Sequence, residues 1–120
     1  MKIKNIPTAK QKITSILQII CTQNIVSNRN ILDEDNSIEI SRVLANYISN
    51  TKYSRQKYTM PPESEIENME LRQGWGKFDS LSDIDLWVDG QQSDLTAIFR
   101  IKTKTQKDEC VVLLYDIKVL

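Results

Sequence analysis

The chain has 120 residues, 40% hydrophobic and 27% charged, with a net charge of zero. This composition is typical of a soluble globular protein of one domain, and no apolar run approaches the roughly 20 residues of a membrane span. Histidine is absent, which removes the commonest general acid–base residue and metal ligand. Two distant cysteines cannot form a zinc site. Carboxylates and lysines alone can still catalyse reactions, so these absences disfavour an enzyme without excluding one; we expect no metal, no cofactor and no enzyme activity.

The start of the chain is basic but lacks the apolar core and cleavage site of a signal peptide. Cys21 and Cys110 lie in apolar surroundings, where they are expected to be reduced core thiols. Both observations predict a cytoplasmic protein.

Apolar residues at helical spacing predict a first helix from Thr8 to about residue 24. They are Ile13, Ile16, Leu17 and Ile20. Pro7 and Thr8 suit its start, and Gln11 would complete a capping box with Thr8. The polar tract after it, residues 27–36, predicts a loop that dips toward the core at Ile31–Leu32.

A second helix is predicted over residues 37–50, where Asn36 and Glu39 form a capping signature. Its apolar stripe consists of Ile40, Val43, Leu44, Tyr47 and Ile48, and we expect it to pack against the first helix as an antiparallel pair. The basic, proline-interrupted stretch TKYSRQKYTMPPES predicts a surface loop. A short third helix is expected over residues 63–71, since Pro62 and an acidic first turn favour a helix start.

In the second half the apolar period changes from 3.6 to 2, which predicts strands. In SDIDLWVDG, Ile84, Leu86 and Val88 face one way, and Asp83, Asp85, Trp87 and Asp89 face the other. A turn at Asp89-Gly90 and Gln91-Gln92 leads into SDLTAIFRIKTK, where Leu95, Ala97, Phe99 and Ile101 alternate with Thr96, Ile98, Arg100 and Lys102. The last run, CVVLLYDIKVL, is apolar on both faces until Asp116, as expected of a central strand or one covered by helices.

The predicted fold is therefore α+β: two to three N-terminal helices packed on a C-terminal antiparallel meander of three strands. Residues 75–78 would add a fourth strand at the edge. The layout also allows a helix-plus-curved-sheet fold of the cystatin-like or NTF2-like type.

Charge is distributed unevenly along the chain. Residues 63–94 contain nine acidic residues against two basic ones, whereas residues 1–62 contain nine basic residues against four acidic ones. An exposed tryptophan among carboxylates is typical of an interface anchor combined with electrostatic steering. The residues expected to bind a basic partner are Asp79, Asp83, Asp85, Asp89, Asp94, Trp75 and Trp87.

Two readings compete for these aspartates. Minimal nucleotidyltransferases have a similar SDIDL string, in which aspartates two apart on a strand hold metal ions. Asp83 and Asp85 have that spacing, but the Gly-Ser turn and the following helix of those enzymes are missing. The second alternative is that the aspartates form only the solvent face of a half-buried strand, and Trp87 fits a core position as well as an interface.

Direct nucleic-acid binding is not expected. The basic and aromatic stretch KYSRQKY, residues 52–58, has the composition that contacts phosphates and bases. A neutral domain with an acidic strand nearby would repel a phosphate backbone. We therefore interpret the stretch as a solvated loop with its tyrosines packed on the core.

The last 40 residues resemble a family of small bacterial proteins without an assigned activity. The matching residues are Leu86-Trp87, Ser93-Asp94-Leu95-Thr96 and Asp116-Ile117-Lys118-Val119-Leu120, preceded by Met60-Pro61-Pro62-Glu63. Lys118 stands where that pattern usually has histidine, so no role of that histidine is carried over. Small proteins of this kind often serve as immunity proteins beside polymorphic or contact-dependent growth-inhibition toxins.

The resemblance and the acidic segment together predict an immunity protein that neutralises a cognate, basic toxin domain, such as a nuclease. Such a protein needs a rigid scaffold and a complementary surface rather than catalytic residues. The alternatives are a metal-dependent nucleotidyltransferase that uses Asp83 and Asp85, and a small-ligand-binding domain in which Trp87 lines a pocket between helix and sheet. No membrane contact is expected, and the sequence leaves the oligomeric state open.

Overall fold

A computed structural model of the chain describes residues 1–22, 30–49, 56–74, 79–103 and 110–119. Within these residues there are three α-helices, α1 (Pro7–Cys21), α2 (Ser37–Ser49) and α3 (Glu63–Glu67), and a 3-10 turn at Ile3–Asn5. The strands are β1 (Tyr58–Thr59), β2 (Arg72–Gln73), β3 (Asp79–Val88), β4 (Gln91–Thr103) and β5 (Cys110–Val119). The predicted α+β fold is confirmed.

Helix α1 begins one residue earlier than predicted. Ile6 precedes the helix without a side-chain capping bond, and Pro7 is the first helical residue. The predicted capping box at Thr8 is therefore wrong, because proline has a φ angle preset for the first turn and no N–H to satisfy there. The helix ends at Cys21 rather than at about residue 24, and residues 23 and 24 lie outside the described ranges.

Helix α1 buries the predicted apolar stripe, with Ala9 in addition. Helix α2 begins after Asn36 as predicted and buries Ile40 and Leu44. Both helices pack on β5, and their buried side chains belong to one core cluster. The antiparallel pairing of the two helices stays a prediction. No helix in the described part of the chain is long and apolar enough to cross a membrane.

The strand order is β1-β3-β4-β5, and β2 pairs with β3 as well. All pairings between these strands are antiparallel. The predicted loop over residues 51–64 contains β1, which pairs Tyr58 with Val88 on β3. The expected fourth strand at residues 75–78 lies outside the described residues; β2 pairs with β3 just before them.

Strand β5 lies at the sheet edge, not at its centre. Its apolar character is explained by the second alternative, because α1 and α2 cover one of its faces. The segment that follows residue 30 runs along its free edge, where Asp33 N donates a hydrogen bond to Leu114 O at 2.9 Å. Leu32 is buried there, as the predicted dip toward the core requires.

One face of the sheet packs against the helices and the other faces away. The predicted alternation is confirmed: Ile84, Leu86, Val88, Leu95, Ala97, Phe99 and Ile101 are all buried in one core cluster. The space between the helices and the sheet is therefore filled by side chains of the core.

Helix α3 is shorter than predicted and ends at Glu67. After it, residues 69–71 pair with the N-terminal residues: Ile3 N donates to Met69 O, and Leu71 N donates to Met1 O.

Candidate binding surface

The sheet face opposite the helices, here called the outer face, bears the polar side chains of β3. Asp83 is exposed, and Asp79, Asp85 and Trp87 are half-buried. Their alternation with buried core residues follows from the two-residue period of a strand. Trp87 therefore lies on the outer face, opposite Thr59 and Gln92, and does not line the interface between helix and sheet. Trp75 lies outside the described residues.

Asp79 is bound by an arginine of the neighbouring strand. Arg100 donates from Nη2 to Asp79 Oδ2 at 2.7 Å and from Nε to Asp79 Oδ1 at 3.2 Å. This two-point geometry is the strongest form of a carboxylate–arginine contact. The hydrogen bond from Arg100 lowers the pKa of Asp79, and the same bond raises the pKa of Arg100.

The next two carboxylates are also engaged within the chain. Asp83 forms a salt bridge with Arg72 at 2.9 Å, in which both side chains are about half exposed. Asp85 accepts hydrogen bonds from Gln92 Nε2 at 2.5 Å and from Thr96 Oγ1 at 2.8 Å. The two aspartates share one face, as predicted, but each already has its own partners.

Asp89 and Asp94 belong to the turn end of the hairpin. Asp89 has a positive φ of 52°, and its carboxylate accepts from Lys57 N at 3.1 Å. Its role is therefore to shape the turn and tie it to the chain before β1. Asp94 is exposed on β4, and no ion pair to it forms within the described part of the chain.

Cations on the neighbouring strands balance the acidity of β3. Across the sheet, Asp79 lies opposite Lys102, and Thr96 separates Asp85 from Lys118. Ile98, which is 8% exposed, lies between Asp83 and Asp116 at the middle of the outer face. The expected acidic stripe is thus a mixed surface with an apolar centre, because strand pairing places residues from the basic C-terminal segment beside it.

A second group of charges, around Asp33, was not predicted. Asp33 is 8% exposed, and its Oδ2 atom lies 3.9 Å from Arg100 Nη1. Together with Asp35, Asn36 and Tyr115, these two residues line a cavity of about 270 Å³. In the sequence, Asp33 directly follows Leu32, and Arg100 lies on the polar face of an otherwise apolar strand. Neither position indicates that the two residues are partners.

Metal binding finds no support in the described geometry. Within those residues, no group of three or more carboxylate or thiol side chains is close enough to hold an ion. Asp83 and Asp85, the strand pair with the spacing discussed for nucleotidyltransferases, are bound to Arg72, Gln92 and Thr96.

Comparison with known proteins identifies a family and no individual relative. No curated protein and no solved structure matches the chain. A family model matches residues 22–120, which include every described element except α1 and the 3-10 turn. The match agrees with the resemblance seen in the C-terminal residues, to a small family without an assigned activity. The chain belongs to this family, which is described as a domain of unknown function (DUF7668).

Proposed function

We propose that this protein is a cytoplasmic immunity protein, which binds a cognate bacterial toxin domain and neutralises it by direct contact. In this proposal the protein has no catalytic residue of its own. It presents a rigid surface that covers the active site of a basic toxin, such as a nuclease. The C-terminal resemblance to small bacterial proteins and the acidic segment 63–94 motivate this class of function.

The observation that supports the proposal most directly is the composition of the outer face. Asp83 is exposed there, and the half-buried Trp87 lies on the same strand and face. A partly buried aromatic ring provides contact area, and nearby carboxylates steer a basic partner and fix its orientation.

The internal salt bridge of Asp83 does not prevent such binding. Asp83 and Arg72 are 48% and 55% exposed, and an exposed ion pair contributes only about 0–1 kcal/mol. A cation of the partner can therefore replace or share Arg72 at little cost. Asp79 is different, because Arg100 holds it at two points on a side chain that is only 12% exposed.

The two alternative functions lack a favouring observation among the described residues. A nucleotidyltransferase would need Asp83 and Asp85 free for metal ions, yet both have other partners. A ligand pocket between helix and sheet would occupy the region that the buried core fills, with Phe99 and Leu114 fully buried.

The test is a pull-down in which this protein, carrying a tag, is offered the C-terminal domain of the large secreted protein that the proposal expects to be encoded directly upstream. We expect a one-to-one complex that also blocks toxicity. Asp83→Lys should weaken the complex at least tenfold, that is by about 1.4 kcal/mol or more, while Arg72→Ala, which frees Asp83, should bind as well as the wild type or better. Failure of the folded protein to bind the domain would refute the proposal. Wild-type affinity of a folded Asp83→Lys variant would remove the outer face from it.

A further inference from the structure

We infer that the cavity lined by Asp33, Asp35, Asn36, Arg100 and Tyr115 receives one basic side chain, an arginine or lysine, of a protein partner. The inference rests on the proposed function, since it names the part of the partner that this protein would recognise. The site differs from the predicted outer-face patch, because it lies where the segment before α2 meets the free edge of β5.

Asp33 is a mostly buried carboxylate with one oxygen open to the cavity. Asp33 is 92% buried, and its Oδ1 atom accepts from Asp35 N at 3.1 Å. Its Oδ2 atom has one contact among the described residues, Arg100 Nη1 at 3.9 Å, which is beyond hydrogen-bond distance. Since no buried side-chain oxygen of the described residues lacks a hydrogen-bond partner, Oδ2 is open to solvent in the cavity, where a donor of a partner can bond it.

Arg100 is hydrogen-bonded to Asp79 rather than to Asp33. Its two short bonds go to Asp79, so its charge is largely balanced before Asp33 is counted. Asp33 and Asp35 then leave the cavity with an excess of negative charge. The N-terminus of α2 lies beside it and favours anions, but a helix end counts for only about half a unit charge, against two full carboxylates.

The cavity suits an organic cation better than a metal ion. Within the described residues no three acidic or thiol side chains converge on one point, which argues against a bare metal ion. The cavity of about 270 Å³ has room for a guanidinium or ammonium group with some water. Planar guanidinium matches a carboxylate oxygen pair well, and Tyr115 adds an aromatic side chain of the type on which guanidinium stacks.

The surroundings favour a protein over a free small molecule. Ile38, in the first turn of α2, is 80% exposed, and Glu34 and Asp35 beside it are exposed as well. An exposed apolar side chain next to carboxylates and a charged cavity is the arrangement expected where a basic, partly apolar protein surface docks.

The direct test uses a single-residue probe on the intact protein. ¹⁵N chemical shifts are followed while N-acetyl-arginine amide is added to about 50 mM, the range in which one charge-assisted contact saturates. We expect saturable shifts at Asp33, Asp35, Arg100 and Tyr115. The neutral isostere N-acetyl-citrulline amide should cause none.

Two variants test whether arginine amide binds at Asp33. Asp33→Asn keeps the Oδ1 acceptor for the Asp35 amide but removes the charge, and it should weaken arginine-amide binding about tenfold. Asp94→Asn is the matched control, since it lies about 20 Å along β4 from Arg100 and should leave binding unchanged. Absence of saturable shifts, equal binding of citrulline amide, or unaltered binding by folded Asp33→Asn would each overturn the inference.

Capture of the toxin domain separates this inference from the proposed function. If the domain is captured and Asp33→Asn weakens the complex about tenfold, both stand. If Asp33→Asn captures it as tightly as the wild type, the inference fails while the proposed function stands. If arginine amide binds at the cavity but the domain is not captured, the immunity proposal fails and the cavity remains a site for basic side chains.

Discussion

At the scale of single residues, Tyr58 joins three elements through one side chain. It belongs to β1, pairs with Val88 of β3, and its hydroxyl donates to Leu44 O in α2 at 2.5 Å. The residue is only 4% exposed. Burial, with a smaller effect of Tyr47, raises the pKa of Tyr58 well above its usual range.

Tyr58→Phe should lower the free energy of unfolding by about 1 kcal/mol, because a buried hydrogen bond is lost. The wild type should also lose stability as the pH rises above about 10, since the phenol ionises in the unfolded chain and stays protonated in the folded one. The variant lacks this contribution and should show a flatter alkaline limb. Urea unfolding at several pH values measures both effects.

Tyr47→Phe is the control for the loss of a phenol from the same region. It should retain the alkaline decline that Tyr58 causes. Identical pH profiles for the wild type and Tyr58→Phe would contradict the burial argument.

The Asp79–Arg100 contact predicts the opposite pH behaviour. Because Arg100 lowers the pKa of Asp79, the contact stabilises the fold above the ordinary carboxyl pKa of about 3.9 and is lost as the pH falls below it. Asp79→Asn should therefore be about 1–2 kcal/mol less stable than the wild type at neutral pH. The difference should shrink in acid, as measured by urea unfolding.

Asp94→Asn provides the comparison, since Asp94 is exposed and has no ion pair with described residues. It should match the wild type at every pH. A stability difference for Asp79→Asn that persists in acid would show that packing, not charge, accounts for the effect.

At the scale of elements, the hairpin between β3 and β4 depends on its two turn residues. Asp89 and Gly90 have φ angles of 52° and 78°, the positive pair required by the tight hairpin turn that Asp-Gly favours. An added Cβ at Gly90 would meet no atom within 4 Å. Any cost of a substitution there is therefore a backbone cost.

Gly90→Ala should lower the free energy of unfolding by about 1–2 kcal/mol, since alanine adopts a positive φ poorly. Gly90→Asn should cost less, because asparagine tolerates that conformation. Thermal or urea unfolding of the pair decides the point. Equal losses for the two variants would indicate that the turn geometry is not what glycine provides.

Three donors from α1 and from the segment before α2 form hydrogen bonds with carbonyl oxygens of the edge strand β5. Lys12 donates to Cys110 O, Asp33 N to Leu114 O, and Asn36 to Tyr115 O. Unpaired strand edges promote association with other strands, and these bonds occupy the carbonyls that would otherwise pair. The same contacts bring Asp33 and Asn36 beside Tyr115, so protection of the edge also builds the proposed cavity.

At the scale of the whole molecule, the region matched by the family model does not include the whole hydrophobic core. The match begins at residue 22, whereas α1 precedes it and buries Ile13, Ile16, Leu17 and Ile20. In this protein the sheet of the matched region is covered partly by a helix outside it.

Deletion of residues 1–21 should therefore unfold the protein. Burial of four such side chains contributes about 2 kcal/mol each, which is comparable to the total stability of about 5–15 kcal/mol of an ordinary domain. Circular dichroism and the dispersion of NMR amide shifts measure the outcome. Ile13→Ala, expected to cost about 2–4 kcal/mol, gives a graded control, and a cooperatively folded truncation would show that the matched region is autonomous.

Local patterns were enough to predict most elements. Helical spacing of apolar residues located α1 and α2, and alternation located β3 and β4 and separated their apolar residues from their polar ones, because these periods are properties of the chain itself. Strands β1 and β2 were not predicted, since a strand of two residues shows no period. The start of α1 was misplaced because proline, not a side-chain cap, begins that helix.

The sequence by itself thus determined the α+β fold, the alternation of apolar and polar residues along β3 and β4, and the common face of Asp83 and Asp85. It left open which face of the sheet the helices cover. Only the tertiary structure decided which charges meet. Arg100 contacts Asp79 and Asp33, which lie in different parts of the chain, so the acidic segment forms a mixed surface and the loop before α2 lines a charged cavity. The physical reason is that burial patterns depend on neighbours along one element, whereas ion pairs depend on strand order and register, which no single segment encodes.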